Sequence, residues 1–228
     1  DEALRLFERG DYDAAEATLQ PLAQLQGPQG AKALAWSGHA RFFKGHETEA
    51  GELYRRALAE DPSLWGAWFQ LGTTAFSHGQ HEEAVEAFEH ATRLIPELHK
   101  HPLAGLFSAD PKRAQAQAQL YLGLSQRGLE QWEAAEASLA RAIELNPLDP
   151  LPYGVLGDLL MKVGRSSEAA ARYEAALSNV TDEQGIRSLR NDLGVALFQA
   201  GDLERAGVAF RAVVRDHPDG ANGVHSLG

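Results

Sequence analysis

Apolar side chains along this 228-residue chain recur at i, i+4 and i+7, the spacing of one helix face, and the whole set repeats about every 34 residues. Alanine anchors each repeat, at Ala15, Ala50, Ala84, Ala135, Ala169 and Ala206. Four residues later comes a bulky apolar side chain (Leu19, Tyr54, Phe88, Leu139, Tyr173, Phe210), and seven later Leu22, Ala57, Ala91, Ala142, Ala176 or Val213. Twelve residues before each alanine lies a small residue: Ala3, Gly38, Gly72, Gly123, Gly157 and Gly194. Five before it, glycine punctuates the pattern at Gly10, Gly45, Gly79, Gly164 and Gly201, with Glu130 as the exception. Four units end on a proline twelve residues after the alanine, at Pro62, Pro96, Pro147 and Pro218, where a helix cannot continue. Each unit therefore predicts a helix, a tight turn and a second helix, with glycine facing alanine where the two axes approach to about 8 Å.

The units run 1–27, with the first helix cut short, then 31–64, 65–98, 116–149, 150–183 and 187–220, and Leu227-Gly228 within 221–228 repeats the opening of a seventh. Both ends are then expected to lie inside a longer array, so that an uncapped apolar face at either end invites self-association. Three places break the regularity. Seventeen extra residues, 99–115, follow the third unit. Within them Asp110-Pro111 reads as an N-cap and first helical position, so the next helix is predicted to start near Pro111 and the insertion proper to be a loop, 99–109. That loop is more apolar than a solvated one, and its Leu103, Leu106 and Phe107 either tuck against neighbouring helices or form a lid over a binding face. A smaller insertion, Gln184 to Ile186, precedes the last full unit, where Thr181 and Gln184 have the spacing of a capping box that lengthens the next helix backwards. Finally, Pro21 falls within the second helix of the first unit and predicts a kink there, or an end near Gln20.

These columns resemble the tetratricopeptide repeat. The stretch WFQLGTTAFSHGQHEEAVEAFEHATRLIP, Trp68 to Pro96, carries the Trp, Leu-Gly, Ala, Phe, Ala and Pro landmarks at that family's intervals, and the likeness recurs in six units over about nine tenths of the chain. It departs where the family often has tyrosine three residues after the glycine; here stand Arg41, Ala75, Gln126, Leu160 and Leu197. The resemblance implies an all-α, right-handed α-solenoid of about six helix-turn-helix units, a single array whose first helices line a concave face where partners bind.

Read at i, i+4 and i+7 along the first helices, that face opens with Leu4 and Phe7 and continues through Ala35, His39 and Phe42, then Phe69, Thr73 and Phe76. It goes on through Leu120, Leu124 and Arg127, then Gly154, Asp158 and Met161, then Asn191, Val195 and Phe198. The candidate groove residues are His39, Phe42, Phe69, Thr73, Phe76, Leu124, Arg127, Asp158, Met161, Asn191 and Phe198. A stripe so rich in apolar and aromatic groups suits a protein or peptide segment with apolar anchors, with Asn191 able to bond its backbone. The competing reading puts several of these rings in the core between repeats. Some members of the family grip a chaperone's C-terminal carboxylate with paired basic and amide residues on successive first helices. The matching pairs here, Ala35/His39, Phe69/Thr73, Leu120/Leu124, Gly154/Asp158 and Asn191/Val195, supply no Lys or Arg, so no such clamp is expected.

Charge narrows the partners further. With 21 Lys+Arg against 32 Asp+Glu the formal net charge is −11, which opposes approach to a nucleic-acid backbone. The chain has no cysteine, which removes disulfides, thiol nucleophiles and thiolate metal sites. No apolar run approaches the roughly 18 residues a membrane helix needs, so no membrane insertion is expected. Histidines gather around one turn (His78, His81) and near the insertion (His90, His99, His101), but without a metal-binding pair spaced i, i+4 beside a carboxylate. Acidic residues such as Glu82, Glu83 and Glu86 spread over helix surfaces, and the glycines form no phosphate-binding loop. No catalytic residue, cofactor or metal is expected. Arginine far outnumbers lysine in an alanine-rich chain, which points to a GC-rich bacterial genome, with the cytoplasm favoured over the periplasm. The expected function is a non-catalytic scaffold or regulatory module within a larger protein, with a self-assembling structural scaffold, cell-envelope assemblies included, as the alternative.

Overall fold

The computed structural model describes residues 2–94 and 110–216, so the expected lid residues Leu103, Leu106 and Phe107 and the segment 221–228 lie outside it. Among the described residues all regular structure is helical. The chain divides into two compact units, Asp1–Gln131 and Trp132–Gly228, with the boundary beside the turn of the fourth repeat. Unit 1 contains α1 (Glu2–Glu8), α2 (Tyr12–Leu19), a single 3₁₀ turn (Leu22–Gln24), α3 (Pro28–Phe43), α4 (Glu47–Glu60), α5 (Trp65–Ser77), α6 (His81–Leu94) and α7 (Pro111–Gly128). Each of these α-helices packs on the next. Unit 2 contains α8 (Trp132–Leu145), α9 (Pro150–Lys162), α10 (Ser166–Leu177), α11 (Glu183–Gln199) and α12 (Leu203–Asp216), and here α9 also touches α11, so that two first helices lie side by side.

Side-chain caps set the starts of three of the first helices. Asp110 accepts the Lys112 amide at 2.9 Å with Pro111 opening α7, and Asp149 accepts the Leu151 amide at 3.0 Å with Pro150 opening α9. At α11 the expected Thr181/Gln184 box is not the cap. Asp182, one residue further on, accepts the Gly185 amide at 2.6 Å, and its carboxylate suits the positive end of the helix better than a hydroxyl does. The helix still begins before the inserted residues, which accounts for its 17-residue length. Pro21 ends α2 after eight residues, against 14 in α4, and the chain continues as the 3₁₀ turn.

All six helix–helix turns close in the same way. The residue just after each turn position donates back to the carbonyl five residues earlier, Asp11 to Leu6, His46 to Arg41, Gln80 to Ala75, Gln131 to Gln126, Arg165 to Leu160 and Asp202 to Leu197, at 2.8–2.9 Å. This geometry needs one left-handed residue, supplied by glycine in five turns and by Glu130, at φ 58°, in the sixth. An L residue held there costs about 1 kcal/mol or more. Glu130→Gly is therefore expected to stabilise the fold by about 0.5–1 kcal/mol, net of the extra freedom glycine has when unfolded. Urea midpoints check this, and an unchanged or lower midpoint would show that Glu130 gains as much from its surroundings as the strain removes.

The alanine column is buried in every repeat. The glycine column makes a different contact from the one its spacing predicts. A methyl group placed on Gly38, Gly72, Gly157 or Gly194 would come within 2.6, 2.8, 2.1 or 2.6 Å of the rings of Tyr54, Phe88, Tyr173 and Phe210. Glycine makes room for the aromatic ring one turn beyond the alanine, rather than facing the alanine itself, because the longer side chain on the same stripe is the one that spans the gap.

Candidate functional site

The first helices place the predicted stripe in three different environments. His39 leaves it altogether. Only 2% exposed, it pairs Nδ1 with the Tyr54 hydroxyl at 2.8 Å, and burial pushes its pKa down to about 3, which keeps the ring neutral. Burial also raises the Tyr54 hydroxyl above its ordinary range. This imidazole is a core polar group with no face left for a ligand.

Phe42, Phe69 and Phe76 are half-buried. Phe42 packs against the cluster built on Tyr54 and Leu71, whereas Phe69 and Phe76 meet edge-on around Phe88 and Tyr121, with ring centroids 5.7–6.1 Å apart. Thr73 spends its hydroxyl on its own helix, donating to the Gln70 carbonyl at 2.9 Å. Leu124 and Arg127 on α7 are partly exposed.

In unit 2 the stripe is more open. Asp158, Asn191 and Phe198 are exposed and Met161 is half-buried. Asp158 accepts a long hydrogen bond, 3.4 Å, from the Tyr173 hydroxyl, which reaches across from the second helix. Burial, reinforced by the charge of Asp158, holds the Asp192 carboxyl above the usual range against hydrogen bonds from Asn191 and Ser188. The face here is thus acidic, with an apolar end at Phe198, which is 61% exposed.

Spacing at i, i+4 and i+7 misses Phe43 beside the stripe of unit 1, and Leu151 and Lys162 beside that of unit 2. Phe43 is 58% exposed and stacks on Tyr12, with ring centroids 5.3 Å apart; Leu151 on α9 is 55% exposed; Lys162 lies 4.6 Å over the Trp132 ring. The signal for Phe43 was in the repeat itself. Its column otherwise reads Glu8, Ser77, Gly128, Lys162 and Gln199, so an aromatic ring there is the outlier.

Three described histidines make local contacts outside any metal-like cluster. His78 Nδ1 lies 2.8 Å from the Thr74 carbonyl, His81 wedges against Phe76 and Gly128, and His90 stacks on Trp68 at 4.2 Å. Among the described residues no three His, Asp or Glu side chains gather as metal ligands, and no helix is long and apolar enough to cross a membrane.

Comparison with known proteins places this geometry. The chain is 24% identical over 202 residues to the anaphase-promoting complex subunit CDC16 of Saccharomyces cerevisiae, a match over 86% of this chain and 22% of that protein. The chain thus spans about a fifth of the length of this relative. Among solved structures it resembles MamA, with a TM-score of 0.69, 22% identity and coverage of 87% of this chain and 96% of MamA. It also resembles YrrB, a TPR protein with an unusual peptide-binding site, with a TM-score of 0.64, 22% identity and coverage of 86% and 91%. The family model described as the cilia and flagella-associated protein 70 C-terminal domain matches residues 3–223. With residues 3–223 matched, nearly its whole length, the chain belongs to this tetratricopeptide-repeat family.

Proposed function

We propose that the chain is a non-catalytic binding module that holds a segment of another protein against its first-helix faces through apolar anchors. The observation that carries this reading is the exposure of Phe43, Leu151 and Phe198 on those faces, where the fold gains little from a large apolar side chain. Phe42, Phe69 and Phe76 supply half-buried rings in unit 1, and the same stripe carries the partly exposed Thr73, Leu124 and Arg127. In unit 2 the stripe carries Asp158, Met161, Asn191 and Phe198, and Asn191 offers an amide to a peptide backbone. The reading needs no cofactor and no metal. Support comes also from YrrB, described as having a peptide-binding site, and from CDC16, a subunit of a multiprotein complex.

The test is a peptide array probed with the chain and with Phe43→Asp combined with Phe198→Asp. The chain is expected to select segments bearing aliphatic or aromatic anchors, and the double variant to lose at least about tenfold in affinity at unchanged helicity. Equal binding by the variant would remove these faces from the function.

A second reading, the self-assembling scaffold, draws on the match to a subunit of a multiprotein complex. Light-scattering mass separates the two: the module stays at one mass over a concentration series, and the scaffold climbs.

A further inference from the structure

One buried position in unit 1 breaks the apolar pattern of the repeat. Thirteen residues before the alanine stand Leu71, Leu122, Leu156 and Leu193, all buried, but the second repeat has Ser37. Ser37 is itself only 6% exposed, and its hydroxyl bonds none of the described residues. A hydroxyl that lines a cleft where the fold elsewhere buries leucine calls for a reason other than packing. Pro21, which cuts α2 short, is the second irregularity, and both open onto the same place. Between α2, the 3₁₀ turn, α3 and α4 lies a cleft of about 380 Å³, lined by Gln20, Gln24, Leu34, Ser37, Leu53 and Arg56 among others.

The cleft one repeat further on, about 350 Å³, shows the contrast. There Trp68 and Leu71 occupy the positions of Leu34 and Ser37, and Arg55 is held by Glu83 through two hydrogen bonds of 2.8 and 2.9 Å. In the first cleft the acidic side chains are already engaged, Asp13 by Lys44 at 2.5 Å and Glu16 by Arg41 at 2.5 Å. Arg56 is left as a lining cation with no ion-pair partner among the described residues.

We propose that this cleft, on the second-helix side of unit 1, docks an acidic residue of a partner protein that is preceded by an aliphatic one. The side-chain carboxylate pairs with the Arg56 guanidinium, the aliphatic group rests on Leu34 and Leu53, and Ser37, Gln20 and Gln24 bond the peptide backbone. The site is separate from the first-helix faces proposed above, and neither reading depends on the other.

The experiment is an amide NMR titration with the blocked tetrapeptide acetyl-Ala-Leu-Asp-Ala-amide, which has no terminal carboxylate. Shifts are expected at Gln20, Gln24, Ser37, Leu53 and Arg56, with a dissociation constant on the order of millimolar. Asn in place of the peptide's Asp, or Arg56→Ala in the protein, is expected to weaken binding about tenfold, since each removes one charge-assisted contact. Ser37→Leu restores the leucine column, fills the cleft, abolishes binding and raises the melting temperature. Should Ser37→Leu misfold, the Arg56→Ala and asparagine comparisons decide alone. Absence of shifts in the cleft at about 10 mM peptide, equal binding of the asparagine peptide, or unchanged affinity in Arg56→Ala would overturn the proposal.

Discussion

Replacing Phe88 with alanine is expected to destabilise unit 1 by about 3–5 kcal/mol, because the ring is wholly buried against Gly72, Phe69 and Tyr121 and its loss leaves a cavity. Adding one methyl group to the same contact from the other side also costs. In Gly72→Ala the new Cβ would lie 2.8 Å from the Phe88 ring, so ring or helix must shift, at about 1–3 kcal/mol. The two changes should not add. Once Phe88 is alanine, the methyl group enters vacated space and the helix gains the better propensity of alanine, so Gly72→Ala turns from harmful to neutral or stabilising. Urea unfolding of the wild type, both single variants and the double variant measures this coupling, expected at about 2 kcal/mol. Simple additivity would mean that something other than the ring holds glycine at this position.

Acidification is expected to remove stability through His39. The sign follows from its folded-state pKa, which lies near 3 against an ordinary 6.5. Above pH 6.5 the ring is neutral in both folded and unfolded chains, so its contribution is fully present. Below that the unfolded chain takes up a proton that the folded chain refuses, and stability falls by about 1.4 kcal/mol per pH unit until the folded pKa is reached. At about pH 5 the loss is about 2 kcal/mol. His39→Asn retains an acceptor for the Tyr54 hydroxyl but cannot be protonated, so it should be the less stable protein at neutral pH and lose its disadvantage as pH falls. Carboxylates titrate alike in both proteins and cancel in the difference. Parallel stability profiles for the two between about pH 7.5 and pH 5 would show that the buried imidazole is not the source of acid sensitivity.

What the sequence determined by itself is the repeat and everything that depends on local spacing. The alanine column, the break at Pro21 and the start at Pro111 all follow from rules acting within one or two helical turns, where backbone geometry leaves few alternatives. Even Glu130, the exception in the glycine column, adopts the left-handed turn because the bond from Gln131 to Gln126 demands it of whichever residue stands there. The tertiary structure decided which edge of each helical stripe is covered. A spacing of i, i+4 and i+7 defines a stripe but not its partner, and the covering comes from residues about 15 to 50 positions away: Tyr54 buries His39, and Tyr121 half-covers Phe69 and Phe76, whereas Phe43 stays exposed despite its contacts with Tyr12 and Phe42. Capping of α11 by Asp182 rather than Thr181 was a choice between adjacent polar residues that pattern alone leaves equal. The cleft at Ser37 belongs to both levels: the broken leucine column is visible in the chain, but only the packing of α2, α3 and α4 turns that break into a space with Arg56 beside it.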